Sequence, residues 1–473
     1  MRQEPPLPAE LWDQIPAVVQ AALLLVVGQY EQRIAALEQR GRELEQRLNQ
    51  NSTNSSRPPS SDAPAVKRAP PRSPSGRARG GQAGHALQQR ALLPADQTHA
   101  LKPAACRGCG HPLAGNDARP LRHQVLELPV LRPAVTEYQL HRLRCPRCGL
   151  STCATLPAGI PRGGHGPRLQ SVLALMTGAY RLSKRMAQTF CADVFALPIC
   201  AGQVCALEAE TTAATAAVVA ALREHVRTQP ANVDETGWRQ ERRRGWLWVV
   251  VSSTVTVFTI ASSRAARIAR ELVDPAAGQV ITSDRFPSYG WLPLRQRQIC
   301  WAHLQRDFQA MVDRHNAGSP VGEELLCCGQ DLFTWWYRVR DGTLRRSTFR
   351  QYMGVVRGMV RGQLEAGRGC GCAKTEAVCR NLLALEPALW TFVRVEGIEP
   401  TNNAAERALR HAVQWRKTSY GTDSAGGSRF VENLLSLVAT CRQQRRNVLG
   451  FLTQCCEAYV QGRKSPTLLP ASD

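Results

Sequence analysis

Between Leu23 and Leu48, apolar or permissive residues recur at alternating steps of four and three: Leu23, Val27, Tyr30, Ile34, Leu37, Gly41, Leu44 and Leu48. Glu31, Arg33, Glu38, Arg40, Arg42, Glu43, Glu45 and Arg47 flank them, so the pattern is a heptad seam. It predicts a helix over the first fifty residues that pairs as a short parallel coiled coil; a helix laid on the rest of the chain is the plainer reading. From Asn49 to His85 the pattern stops. That stretch is Ser-, Pro-, Gly- and Arg-rich and has too little to bury to repay its ordering entropy, so a disordered linker is expected. Helical periodicity returns over Leu169–Tyr180, Ser183–Phe195 and Gly202–Val226, with Pro198 between the last two. A packing bundle fits these helices better than a DNA-reading helix-turn-helix, because no basic stripe marks the third.

Beyond Gln229 the runs become β-branched and aromatic. Asn232–Trp238, Gly245–Ser252 and Val255–Ala261 predict a three-strand meander with a charged turn over Arg239–Arg244. A helix over Arg264–Val273 and a short strand over Gln279–Ser283 follow, ending at Asp284. The order β-β-β-α-β, with Asp234 in the first strand and Asp284 ending the fourth, is that of an RNase H-like α/β core with a mixed five-stranded sheet. In that fold the first and fourth strands are neighbours. Two carboxylates that close repel unless divalent cations lie between them. Glu235, next to Asp234, is sent to the opposite face by strand alternation and reads as structural.

A third acid is expected from a later helix. Glu406 lies in the first turn of a helix whose apolar face is Ala405, Leu409, Ala412 and Val413. Its plainer reading is local, since Asn403-x-x-Glu406 resembles a capping box and Glu406 with Arg410 forms an i,i+4 pair. Glu396 and Glu399 are rivals that precede the helix.

Cysteine spacing adds a second chemistry. Cys106-x-x-Cys109 and Cys145-x-x-Cys148 are two knuckles that complete a closed tetrahedral site of four thiolates, with Gly108, Gly110 and Gly149 supplying tight backbone. This predicts structural Zn2+ in a small zinc-ribbon-like module, with strands in the intervening Gln124–Leu143. Seventeen cysteines, an odd number, and metal-type spacing point to a reducing cytosol. Lys and Arg total 60 against 38 Asp and Glu, a net charge of +22, which favours a polyanion partner. The basic linker (Arg57, Lys67, Arg68, Arg72, Arg77, Arg79) faces only Asp62 and suits sampling of phosphates. The most apolar run, Ala21–Val27, is far short of a membrane span, so no membrane partner is expected.

Eight pieces, in order, resemble the insertion sequence 66 family of bacterial DDE transposases over residues 23–460. They are the zipper, Asn-Ser-Ser-Arg-Pro-Pro-Ser-Ser-Asp, the four-cysteine module, Val233-Asp234-Glu235-Thr236, Ser283-Asp284-Arg285, Cys300-Trp301-Ala302-His303, Asn402-Asn403-Ala404-Ala405-Glu406-Arg407 and Ser424-Ala425-Gly426-Gly427. The resemblance implies that Asp234, Asp284 and Glu406 are a catalytic triad holding Mg2+ or Mn2+. It also implies a helical insertion between the second and third acids, and cleavage and strand transfer of DNA at transposon ends. Arg285–Tyr289 and Lys417–Tyr420 depart from the family pattern, which bears on target preference. Arg407, Arg410 and Lys417 are candidate DNA contacts. Cys300 and His303 read as a packed, hydrogen-bonded core pair before a second zinc, although Cys370, Cys372 and Cys379 could add thiolates.

The organisation expected is thus an N-terminal helix or coiled coil (1–50), the basic linker (51–95), the zinc module (96–160) and a helical DNA-binding or packing domain (161–229). An RNase H-like catalytic domain (230–315 and 396–460) interrupted by a helical insertion (316–395) follows, then a tail (461–473). The partners expected are DNA, a second copy or larger assembly, and small accessory proteins of the same element, in a cytoplasmic, nucleoid-associated location. An inactive zinc-dependent DNA-binding regulator and an RNase H-like nuclease without strand transfer are the alternatives.

Overall fold

A computed structural model describes residues 8–55, 62, 91–274 and 278–470. Most of the linker expected to be disordered therefore lies outside the described residues. After a short helix α1 (Ala9–Trp12), helix α2 spans Ala17–Leu48. Its seam residues Leu23 and Val27 are half-buried, whereas Tyr30, Ile34, Leu37 and Leu44 are all more than half exposed, so among the described residues the later part of the heptad face is left uncovered. A turn after α2 is closed by side chains. Asn51 Oδ1 accepts from Thr53 N–H, Asp62 accepts from the Ser52 amide and hydroxyl, and Asn54 Nδ2 reaches Asp313 at 2.8 Å.

The chain divides into two units, one of residues 1–66, 139–187 and 200–473, the other of residues 67–138 and 188–199. In the larger unit, β1 (Arg142–Arg144) and β2 (Ser151–Cys153) form a small antiparallel hairpin. The strands expected through Gln124–Leu143 are otherwise absent. Val125, Leu128, Val130 and Val135 are exposed with no sheet to cover them, and Pro129 and Pro133 lack the N–H a ladder needs.

Helix α3 (Pro167–Gly178) starts on a proline in its first turn, and α4 (Lys184–Phe195) follows. The capping box of Cys200 and Gln203 then opens the long α5 (Ala201–Arg227). By length and composition α5 could cross a membrane, but Val204, Leu207, Val218 and Leu222 are buried in the protein core. Strands β3 (Ala231–Gln240), β4 (Arg243–Val251) and β5 (Thr256–Ala261) form the meander, and α6 (Ala266–Leu272) leads to β6 (Ile281–Ser283) and β7 (Arg297–Ile299). The charged turn is shorter than expected, because only Glu241 and Arg242 leave the ladder. Both take positive φ, the two-residue geometry that matches strand twist, and Glu241 N–H donates to Thr422 O.

The sheet order is β5-β4-β3-β6-β7, with β3–β4 and β4–β5 antiparallel and β3–β6 and β6–β7 parallel. This is the mixed five-stranded sheet expected. Burial of β4 on both faces (Leu247 through Val251) explains its uninterrupted apolar run.

Helices α7 (Trp301–Val312), α8 (Ser319–Arg340), α9 (Arg346–Ala366), α10 (Ala373–Ala384), α11 (Glu386–Leu389) and α12 (Thr391–Arg394) follow β7 and surround a core of their own. Its centre holds Trp301, Trp336, Phe349, Trp390 and Phe392, and Trp301 donates to Leu389 O. The last three helices, α13 (Asn403–Ser419), α14 (Ala425–Gln443) and α15 (Val448–Val460), return to the sheet. Together with α3 and α5 they close the main core around Val233, Leu247, Phe258 and Ile281, so α3 and α5 share one core with the sheet. Glu432 of α14 is buried there, accepting from the Ile260 amide of β5 and pairing with Arg223 of α5.

Candidate active site

The parallel register sets Ala231 against Ile281 and Asn232 against Thr282. Continued by two residues, it puts Asp234, inside β3, beside Asp284, just past the end of β6. Glu406 enters from the first turn of α13, which packs across β3 and β4. Burial, then the carboxylates of Glu235, Asp284 and Glu406, push the Asp234 carboxyl well above its ordinary range. The three acids therefore lie within electrostatic reach of one another. Asp234 Oδ1 accepts from the Glu235 amide and Asp284 Oδ1 from the Phe286 amide, which fixes both side chains against their own backbone.

Glu235 points the other way, as alternation requires. It is buried, with Arg264 and the Tyr289 hydroxyl as hydrogen-bond partners. Neither capping nor an i,i+4 pair holds Glu406. The cap residue of α13 is Asn402, without a side-chain cap, and the groups facing Glu406 come from α7: His303 Nδ1 at 3.6 Å and the Arg306 guanidinium at 3.9 Å.

A hub that sequence reasoning missed connects the three acid-bearing elements. Cys300 N–H donates to Ser283 O, the carbonyl just before Asp284, at 2.9 Å. Cys300 Sγ accepts from Asn402 N–H at 3.1 Å, and Asn402 Nδ2 donates to Val233 O, just before Asp234, at 2.9 Å. Trp301 N–H also reaches Pro400 O. Cys300 is fully buried, and that burial pushes its thiol up to about 12. Arg297, also buried, donates to the backbone carbonyl of Asp284 at 2.8 Å.

The donor set suits hard divalent cations. It gathers carboxylates whose repulsion a cation would relieve, and Glu406 Oε1 is buried without a hydrogen-bond partner. Arg407, Arg410 and Lys417 are exposed on α13 and take no part in that cluster. Arg407 and His411 instead line a cavity of about 470 Å³ between α13 and α14, with Arg442 opposite and Phe258 and Leu435 in its wall. Burial first, then the positive charge of Arg442, Arg181 and Arg410, lower the His411 pKa.

The two cysteine knuckles repeat one backbone pattern. Gly110 N–H donates to Cys106 O and Cys106 N–H to His111 O; Gly149 N–H donates to Cys145 O and Cys145 N–H to Leu150 O. Gly110 and Gly149 both take positive φ, of 76° and 74°, where a side chain would be strained. The amides of Cys109 and Gly108 lower the Cys106 thiol, and those of Cys148 and Arg147 lower Cys145. Each turn thus favours the thiolate form that binds metal.

Residues 169–429, more than half of the chain, match the family described as Transposase IS66. The chain belongs to the IS66 transposase family. Residues 103–149 match the zinc-finger binding domain of transposase IS66, spanning both knuckles, and residues 4–91 match a family of unknown function. Over 168 residues the chain is 30% identical to the uncharacterized protein y4qI of Sinorhizobium fredii. That similarity covers 34% of this chain and 31% of the relative, so it spans about a third of that protein's length.

Proposed function

We propose that this protein is a DNA transposase that cuts and joins DNA strands at the ends of its element, with Asp234, Asp284 and Glu406 as the acids that hold Mg2+ or Mn2+. The observation that carries the reading is the parallel adjacency of β3 and β6, which brings Asp234 within β3 close to Asp284 just after β6, with the helix bearing the third acid packed across β3. When bound, paired divalent cations supply Lewis-acid activation of a water or 3′-hydroxyl and stabilise the leaving oxygen of an in-line displacement at phosphorus.

The chain's own residues do the rest. The Cys300–Asn402 hub holds the three acid-bearing backbones in register, and Arg306 orients Glu406 from α7. Arg407 and Arg410, on the exposed side of the acid helix, are placed to receive DNA phosphates, with Lys417 at its far end. Structural Zn2+ held by Cys106, Cys109, Cys145 and Cys148 makes the N-terminal module a DNA-binding element. The exposed seam of α2 suits pairing of two copies.

The test incubates purified full-length protein with Mg2+ or Mn2+ and DNA carrying the terminal repeats that flank its gene. Asp234→Ala, Asp284→Ala and Glu406→Gln are each expected to lower cleavage by about 10³-fold or more while retaining end binding. Retained cleavage removes that residue from the triad. Cleavage without end preference or strand joining identifies a nuclease instead.

A further inference from the structure

Cys300, His303 and Glu406 offer ligand-type atoms that all lie within 4.8 Å of one another. Of the three ligand-type atoms, Cys300 Sγ already accepts a hydrogen bond from the Asn402 amide. His303 Nδ1 and Glu406 Oε1 are both buried without a hydrogen-bond partner, and they face each other at 3.6 Å. The other carboxylate oxygen of Glu406 faces Arg306, so the group is turned with Oε1 toward the imidazole. A buried imidazole nitrogen and a buried carboxylate oxygen, each unpartnered and side by side, are what a shared cation would satisfy. Both atoms are close enough to reach one ion at the bond lengths of about 2.1 Å usual for nitrogen and oxygen ligands.

We propose that His303 is a nitrogen ligand that shares with Glu406 one of the divalent ions of the acid cluster. This rests on the reading of Asp234, Asp284 and Glu406 as the metal-holding acids and adds a ligand to it. His303 occupies the first turn of α7, immediately after the Cys300 hub, so its place relative to Glu406 is set by rigid, hydrogen-bonded backbone rather than by a loop. An imidazole nitrogen also changes which metal is preferred. It suits Mn2+, whereas Mg2+ keeps to oxygen.

Pulsed electron paramagnetic resonance on full-length protein loaded with Mn2+ tests this without relying on turnover. A hyperfine coupling to directly bound nitrogen is expected, and it should change when histidine is labelled with ¹⁵N. His303→Gln should remove the coupling and weaken Mn2+ binding by about tenfold, with little effect on Mg2+; thermal melting of the variant checks that it folds. Mn2+ bound in the wild type without nitrogen coupling, or with a coupling that survives His303→Gln, overturns the assignment. Asp234→Asn separates this from the larger reading. If Mn2+ binding falls in Asp234→Asn but no nitrogen couples, the acids hold metal without His303. If Mn2+ affinity is unaffected by Asp234→Asn, the acid site itself is misassigned and the inference falls with it.

Discussion

Asn402 holds Val233 by its side chain, the amide Nδ2 donating to the Val233 carbonyl at 2.9 Å, so the residue that caps the Glu406 helix grips the strand one position before Asp234. Asn402→Ala removes that donor and leaves a buried carbonyl unpaired. We expect a loss of about 1–3 kcal/mol in chemical denaturation, with the slope of the transition unchanged.

Asp234 gives a prediction with a definite sign. Its carboxyl is held above the ordinary 3.8 by burial and by neighbouring negative charge. The native state thus prefers the protonated form. The resulting penalty is absent below the unfolded-state pKa, grows as pH rises through the folded value, and is complete above it. In EDTA at neutral pH, Asp234→Asn is therefore expected to melt above the wild type, by about 2 °C. The difference should vanish at low pH. Added Mn2+ should raise the wild-type melting temperature and leave the variant unmoved; calorimetry across pH checks all three.

The exposed arginines of α13 predict a salt effect. Charge removal at a phosphate contact weakens binding and flattens its salt dependence by about one unit per contact. Arg407→Ala with Arg410→Ala should lower end-DNA affinity at every sequence and reduce that slope by about two, as read by fluorescence anisotropy from low to high salt.

The knuckles predict a metal count. If the four thiolates share one ion, Cys106→Ser or Cys145→Ser should each drop bound zinc from about one per chain toward zero, measured by elemental analysis. A chelator strong enough to strip zinc should impair end binding while leaving the melting of the sheet-bearing core within about 1 °C.

Much of the core could be read along the chain because its signals are local. The β-branched runs of β4 and β5 have no other use than a buried sheet, and Asp284 closes the short apolar strand that precedes it. Where local pattern misled, a partner was missing or an unseen one was present. Residues 125–141 alternate like a strand, yet Val125, Leu128, Val130 and Val135 stay exposed and two prolines interrupt the stretch. Arg239 and Arg244 looked like turn residues, yet they pair with each other across the β3–β4 ladder. Glu406 looked like a helix cap until α7 brought His303 and Arg306 against it. Cys300 could be read as a hydrogen-bonded core residue, but its link through Asn402 to Val233 could not, because those two bonds join residues more than a hundred positions apart.

The separate core between β7 and α13 has a consequence for the order of assembly. Asp234 and Asp284 sit on strands made close together, so an emerging chain can bring them side by side early. Glu406 is synthesised only after six helices with a hydrophobic centre of their own, and the segment leading into its helix is moored back to the first residue of that block, where Trp301 N–H donates to Pro400 O. On the proposed function, a half-translated chain therefore carries an incomplete set of acids, and the set is complete only once the final third has been built and docked.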